Sequence, residues 1–233
     1  LSVVEGLIIL PMQASIETSL KIKRRFLPED FKINSWEVLE PYFLNLRDRK
    51  INSVQELENW ILDRSEVEAV AEEETGWAYI RMNIDTTDQS LADKFLFYIN
   101  EIQTKVAPFE NELNKKLVAS SYCNELDNKK YFVYLRGIKK QLEIFREENI
   151  PLEREVQEEQ QKFGSISAVQ TVTYNGEEMT IQKGHNFLKQ TERNLRETVY
   201  GLLKQRRQQD VEQLNNLYTL LVNLRNKIGV NAG

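Results

Sequence analysis

At 233 residues the chain can bury a sizeable core, as one large domain or roughly one and a half average ones. A composition of 41% apolar and 29% charged residues excludes intrinsic disorder, and only 9 Gly and 5 Pro argue against a turn-rich sandwich or barrel. With 31 basic against 36 acidic residues the net charge is −5, which indicates no nucleic-acid partner, because phosphate binding needs a concentrated positive face.

The first ten residues, LSVVEGLIIL, lack a basic start and a small-residue cleavage site, carry Glu5, and are too short to span a bilayer. They read as neither a targeting peptide nor a membrane anchor. Met12 is a candidate natural start, which makes residues 1–11 an extension or lead-in; whether they are natural stays open. The opening at Leu1 and the stop at Gly233 directly after a helical pattern read as cuts in a longer frame. The basic cluster Lys21–Arg25 reads as a solvated turn rather than a membrane or RNA contact. Residues 26–33 then form an extended, proline-punctuated arm with apolar anchors.

Asn34, three residues before Glu37, has capping-box spacing and opens a short helix carrying Trp36, Leu39, Phe43 and Leu46. Pro41, near its first turns, leaves a break open there. Ser53 with Glu56 repeats the cap, and Val54, Leu57 and Ile61 follow on one face. A further helix is expected from about Ser65 to Ile84. Its Glu72, Glu73 and Glu74 point about 100° apart, so they cannot converge on one ion and read as a solvated face. The clearest stripe is Leu91, Phe95, Tyr98, Ile99, Ile102, Val106, Phe109, Leu113 and Leu117, with a kink expected at Pro108. Cys123 is the single cysteine; it excludes an internal disulfide, fits a reducing compartment, and reads as a buried or half-buried small residue. A second stripe runs through Tyr131, Leu135, Ile138, Leu142 and Phe145, ending at Asn149-Ile150-Pro151.

Residues 169–181 spell a β-hairpin: β-branched residues alternate, Asn175-Gly176 supplies a type I′ turn, and Val172 is placed opposite Met179. A lone ribbon is marginal in water, so it must pack on helices. From Thr191 to about Ile228 the pattern predicts the longest helix, with Leu195, Val199 and Leu202 continuing into Leu214, Leu217, Leu221 and Leu224. Its polar centre, Lys204–Asp210, bridges solvent or faces a wet cleft, and Arg206 with Asp210 reads as a routine surface pair. The Leu214–Ile228 seam covers about two heptads, too few for a convincing coiled coil. The predicted fold class is mainly α, a multi-helix lobe with one hairpin at about residues 168–182.

The catalytic inventory is nearly empty. His185 is the single histidine. A helix-borne zinc site needs two His four apart, and a Ser or Cys triad needs a His beside the nucleophile. No catalytic, metal-ligating or substrate-binding residue is therefore assigned, and the segment alone reads as inactive.

Leu27-Pro28-Glu29-Asp30-Phe31, Ser35-Trp36-Glu37 with Leu39, and Trp77 with Tyr79-Ile80-Arg81-Met82 and Asp85-Thr86 resemble the amino-terminal part of oligoendopeptidase F-like zinc metallopeptidases. So do Lys130-Tyr131-Phe132, Phe145 to Leu152, and Arg193 to Tyr200. The resemblance extends in order from about Phe26 to Gly233 and is carried by serial agreement rather than by one diagnostic motif. It implies a thimet-oligopeptidase-like helical ellipsoid with a deep channel, which cleaves short peptides in the cytoplasm. It also implies a zinc held by residues of a carboxyl-terminal half that this chain does not contain. On that basis residues 1–25 are a lead-in and residues 26–233 the amino-terminal helical lobe. The implied partners are short peptides and the protein's own catalytic half, with no nucleic acid and no membrane. The alternative is a helical structural or interaction module without activity. A severed lobe should also expose apolar surface.

Overall fold

The computed structural model describes residues 23–233; the expectations for residues 1–12 lie outside them. The architecture is helical: α1 (Trp36–Asp48), α2 (Val54–Ile84), α3 (Gln89–Phe97), a π-helical segment (Tyr98–Gln103), α4 (Thr104–Ala119), α5 (Asn128–Ile144) and α6 (Ile150–Ala168). A hairpin of β1 (Thr171–Tyr174) and β2 (Glu177–Thr180) comes next, then α7 (Ile181–Phe187), α8 (Arg193–Gln209) and α9 (Val211–Ala232). Among the described residues the fold is thus mainly α with one hairpin, as the sequence predicts.

The largest core is built by the arm and α1 to α5. Leu27, Phe31 and Ile33 of the arm are buried, as are all four residues of the predicted α1 face. Trp36, Phe43 and Phe109 bring their rings within 6.0 Å of one another, joining α1 to α4. Helix α1 departs from the sequence reading in two ways. Its N-cap residue is Ser35 rather than Asn34, and no side chain caps the amides there. The helix also runs unbroken through Pro41. Pro41 is exposed, so water can satisfy the carbonyl that its missing N–H leaves free. At the other end, Lys116 Nζ donates to the carbonyls of Leu46 (2.9 Å) and Arg47 (2.7 Å) and to that of Arg49, and Trp60 Nε1 donates to Leu46 O (2.8 Å). Two side chains from other helices thus satisfy the carbonyls at the α1 C-terminus.

The Ser53 cap is present: Glu56 N donates to Ser53 Oγ at 3.1 Å, while the Glu56 carboxylate reaches back to Asn52 N at 2.7 Å. This cap opens one helix rather than two, since α2 spans 31 residues and is the longest element described. Two polar residues that interrupt its apolar pattern, Asp63 and Arg64, are buried against partners instead of ending the helix. Glu66 on the same helix accepts the backbone amides of Arg25 (2.7 Å), Phe26 (3.0 Å) and Leu27 (2.7 Å). Burial pushes its carboxyl up, but these three amides outweigh that and leave it below the usual range. Glu66 thus ties three successive amides of the arm to α2.

The predicted long stripe is buried at Phe95, Tyr98, Ile99, Ile102, Val106, Leu113 and Leu117. Its irregularity lies at the π segment, before α4, and α4 continues through Pro108. The wider turn lets Tyr98, Ile99 and Ile102 all face the core. Tyr98 Oη donates toward Ile33 O (3.1 Å) and Glu74 Oε2 (3.2 Å); burial and the Glu74 charge push the phenol up to about 12.

Helix α6 is absent from the sequence reading. Pro151 sits in its first turn, where a proline lacks nothing the helix needs. It packs against α9, with Val156 meeting Leu217, Leu221 and Leu224, so the Leu214–Ile228 seam is satisfied inside the chain. Buried Asn149 donates to Ile228 O (3.1 Å) and accepts from Asn231 (2.8 Å), pinning the end of α9 to the start of α6.

The hairpin has the expected register, Val172 opposite Met179, with Asn175 at φ 49 and Gly176 at φ 81. It packs on α7 and α8 through Val172, Met179, Ile181, Val199 and Leu203. Because Gly176 occupies the left-handed region, Gly176→Ala should cost about 1 kcal/mol in urea unfolding. No loss would mean the turn rearranges freely.

The predicted Thr191–Ile228 helix is two helices. They are separated at Asp210, whose carboxylate accepts from Arg206 Nη1 (2.6 Å) and from Gln170 Nε2 (2.8 Å). With side-chain exposures of 18% and 17%, the Arg206–Asp210 pair is not a routine surface contact. It fastens the helix junction to the start of the hairpin.

Candidate functional site

Each residue type that could carry chemistry has a defined place. Cys123 is a free thiol, buried in a 3₁₀ turn between α4 and α5. His185 lies half-buried on α7, with Nε2 3.0 Å from Arg207 Nη2. A guanidinium can only donate, so Nε2 is the acceptor in this contact. Glu72 and Glu73 are exposed, as expected for a solvated face, whereas Glu74 pairs with Lys32 Nζ (3.1 Å) and the Tyr98 hydroxyl. Among the described residues no three His, Cys, Asp or Glu side chains are placed to hold a metal ion. Nor is any described helix long and apolar enough to cross a membrane. In the basic cluster, Arg24 donates to Pro28 O (2.8 Å) and Phe31 O (3.1 Å), and Arg25 pairs with Asp63 (2.8 Å). These two arginines hold the arm rather than forming a free solvated turn.

The densest unusual electrostatics lie where α2, α4 and α5 meet. Arg64, 3% exposed, donates from Nε to Glu68 Oε1 at 2.6 Å. Its Nη1 and the buried Tyr134 hydroxyl find no hydrogen-bond partner among the described residues. Burial raises the Glu68 carboxyl above its ordinary value despite the adjoining Arg64. Glu110, half-buried on α4, is pushed up to about 7, by burial first and the Glu68 charge second, with Arg64 opposing and Glu72 adding. Burial likewise raises the Tyr134 phenol. The sequence reading does not find this cluster. Its one local signal, the four-residue spacing of Arg64 and Glu68, is indistinguishable from an ordinary helix-surface pair.

An apolar face is also uncovered. Trp77, Ile80 and Ile84 succeed one another at helical spacing along the last turns of α2 and are 48%, 44% and 79% exposed. Arg81 lies 5.6 Å from the Trp77 ring centroid beside them. The opposite side of the same turns, Ala78 and Met82, is in the core. An α2 that is buried on one side and apolar on the other matches the expected exposure of apolar surface.

Comparison with known proteins gives this helical fold a family. Residues 26–145 match the model of the peptidase M3 N-terminal domain, just over half of the chain. The chain belongs to that family. No curated protein matches it. Among solved structures, one described as an oligoendopeptidase F from Bacillus anthracis str. Ames is 20% identical with a TM-score of 0.78, covering 91% of this chain and 39% of that one. A PZ peptidase A bound to an inhibitor gives 18% identity and a TM-score of 0.78, over 87% of this chain and 36% of that one. A second oligoendopeptidase F structure gives 19% identity and the same TM-score. At these identities the likeness establishes a shared fold. The chain spans well under half the length of each of these structures.

Proposed function

We propose that residues 26–233 form the amino-terminal helical lobe of a zinc-dependent oligopeptidase, and that this lobe is one wall of a channel admitting short peptides. The observation that carries the reading is the family match over residues 26–145. The uncovered Trp77–Ile80–Ile84 face supports it, as a surface suited to the protein's own catalytic half. Zinc would act as Lewis acid and water activator in that half. The residues of this chain do not fit the metal: its one histidine is engaged by Arg207, and no described group of ligands converges. The lobe's contribution is shape. A wall of long helices excludes folded proteins and restricts substrates to flexible peptides of the cytoplasm.

The test uses the intact reading frame and an internally quenched peptide. Cleavage should disappear with a chelator and return with zinc. Cleavage that persists without metal, or none after zinc is restored, refutes the proposal.

A further inference from the structure

We propose that the groove along one face of α5 binds a short, extended, acidic peptide segment of another protein, with its carboxylates at Arg136 and Lys139 and its apolar side chains on the floor beneath. The inference concerns binding alone and is independent of the peptidase reading. A cavity of about 570 Å³, open to solvent, lies between α5 and the 3₁₀ turn Cys123–Glu125. That volume is within the range of ligand-binding clefts. Along α5 the lining residues Asn128, Phe132, Arg136, Lys139 and Glu143 recur at steps of three or four, so they share one face. At 1.5 Å per residue that face is about 22 Å long. It has room for about six residues of extended chain, whereas a compact small molecule leaves most of the length empty.

Charge selects the ligand. Helix α5 carries five basic residues and one acidic residue in a chain of net charge −5, so positive charge is concentrated here against an acidic background. Lys140 is paired with Glu143 at 3.1 Å and Lys130 with Glu58 at 3.2 Å. Arg136 and Lys139 are exposed, line the groove, and have no carboxylate partner among the described residues. The Arg136 guanidinium lies 5.7 Å from the Phe132 ring centroid, a stacking contact that restricts the side chain and leaves its donors free for a carboxylate.

The rest of the lining is apolar. Cys123 and Leu126 are buried and Leu135 is half-buried, while the Phe132 ring is 53% exposed on the same face. An extended chain turns successive side chains to opposite sides, so alternating acidic and apolar residues serve the unpaired cations and the floor together. A basic peptide gains nothing at Arg136 and Lys139. A nucleic acid needs a broader positive face, and the Glu143 carboxylate at one end of the groove repels a phosphate chain.

Fluorescence anisotropy on the full chain tests this with fluorescein-labelled hexapeptides. One alternates aspartate with leucine, and its counterpart alternates lysine with leucine. The acidic peptide should bind, more weakly as salt is raised, and the basic one should not. Arg136→Glu combined with Lys139→Glu should weaken binding about tenfold or more. Arg225→Glu combined with Lys227→Glu makes the same charge change on exposed positions of α9 and should stay within about twofold of wild type. Equal weakening by the two pairs, no binding of the acidic peptide, or equally tight binding of single-stranded oligothymidylate overturns the proposal. Should the α5 variant fail to fold, Cys123 reports on wild type, since the single thiol lies in the groove lining. Saturating acidic peptide should slow its alkylation by N-ethylmaleimide; an unchanged rate places any binding elsewhere and refutes the site.

Discussion

Replacing Trp60 by alanine should produce the largest loss of stability of any single substitution in the main core. The indole is fully buried. Phe or Trp to Ala in such a site costs about 3–5 kcal/mol from lost transfer energy and the cavity left behind. The position also does more than fill space. Its Nε1–H caps the Leu46 carbonyl at 2.8 Å, and its ring lies 5.7 Å from Lys116 Nζ and 5.9 Å from the Arg64 guanidinium. Lys116 caps the same α1 terminus, while burial first and the nearby Arg49 charge second lower its pKa. Trp60→Ala should therefore lower the melting temperature by about 10 °C for a chain of this size. Trp60→Phe, which keeps bulk and loses the donor, should cost about 1–2 kcal/mol. Trp77→Ala, on the uncovered face, should stay within about 0.5 kcal/mol. If Trp77 proved as costly as Trp60, the division into buried and uncovered faces of α2 would be wrong.

Periodicity made α1, the Leu91–Leu117 stripe and the hairpin legible, because in each the residues that bury are apolar and regularly spaced. Val172 could be paired with Met179 from the Asn175-Gly176 turn alone, since a two-residue loop fixes register. Where polar residues are buried, the pattern misleads. Asp63 and Arg64 look like a gap between helices, yet α2 passes straight through, because their partners lie on the arm, at the end of α1 and one turn onward. The opposite error occurs at Asp210: a polar run with no Gly or Pro reads as continuous helix, but Gln170 and Arg206 hold the Asp210 carboxylate where the helix is interrupted. Helix α6 escaped notice because its one buried residue is Val156.

The candidate site was still less legible. Arg64, Glu68, Glu110 and Tyr134 meet only after three helices pack, and each alone resembles an ordinary surface residue of a charged helix. Family resemblance could be read in order from Leu27 to Tyr200, and the matched domain covers residues 26–145 of that span. Motif order survives in a sequence, whereas the ionisation of a carboxyl depends on neighbours that the sequence does not bring together.

Asp63→Ala should detach the arm. The carboxylate is buried and accepts from Arg25 Nε at 2.8 Å and Arg49 Nη1 at 2.6 Å, joining the arm and the end of α1 to α2. Removing it leaves two guanidinium groups facing each other without an anion. Breaking one side of a buried pair costs about 3–5 kcal/mol. Both arginines reach solvent, with side-chain exposures of 43% and 28%, which lowers the expected cost to about 2–3 kcal/mol. Arg49 keeps its Asn45 contact at 2.7 Å and its place 4.9 Å from the Phe26 ring centroid, so α1 should hold better than the arm. Asp63→Asn, which retains one acceptor, should cost less than the alanine variant. Limited proteolysis distinguishes a local from a global effect: cleavage in residues 23–33 should accelerate in Asp63→Ala before any cut in α2 appears. Glu66→Gln should accelerate the same cleavage, since three arm amides depend on that carboxylate. Unchanged protection of the arm in both variants would show that Leu27, Phe31 and Ile33 hold it by burial alone, with the charges incidental.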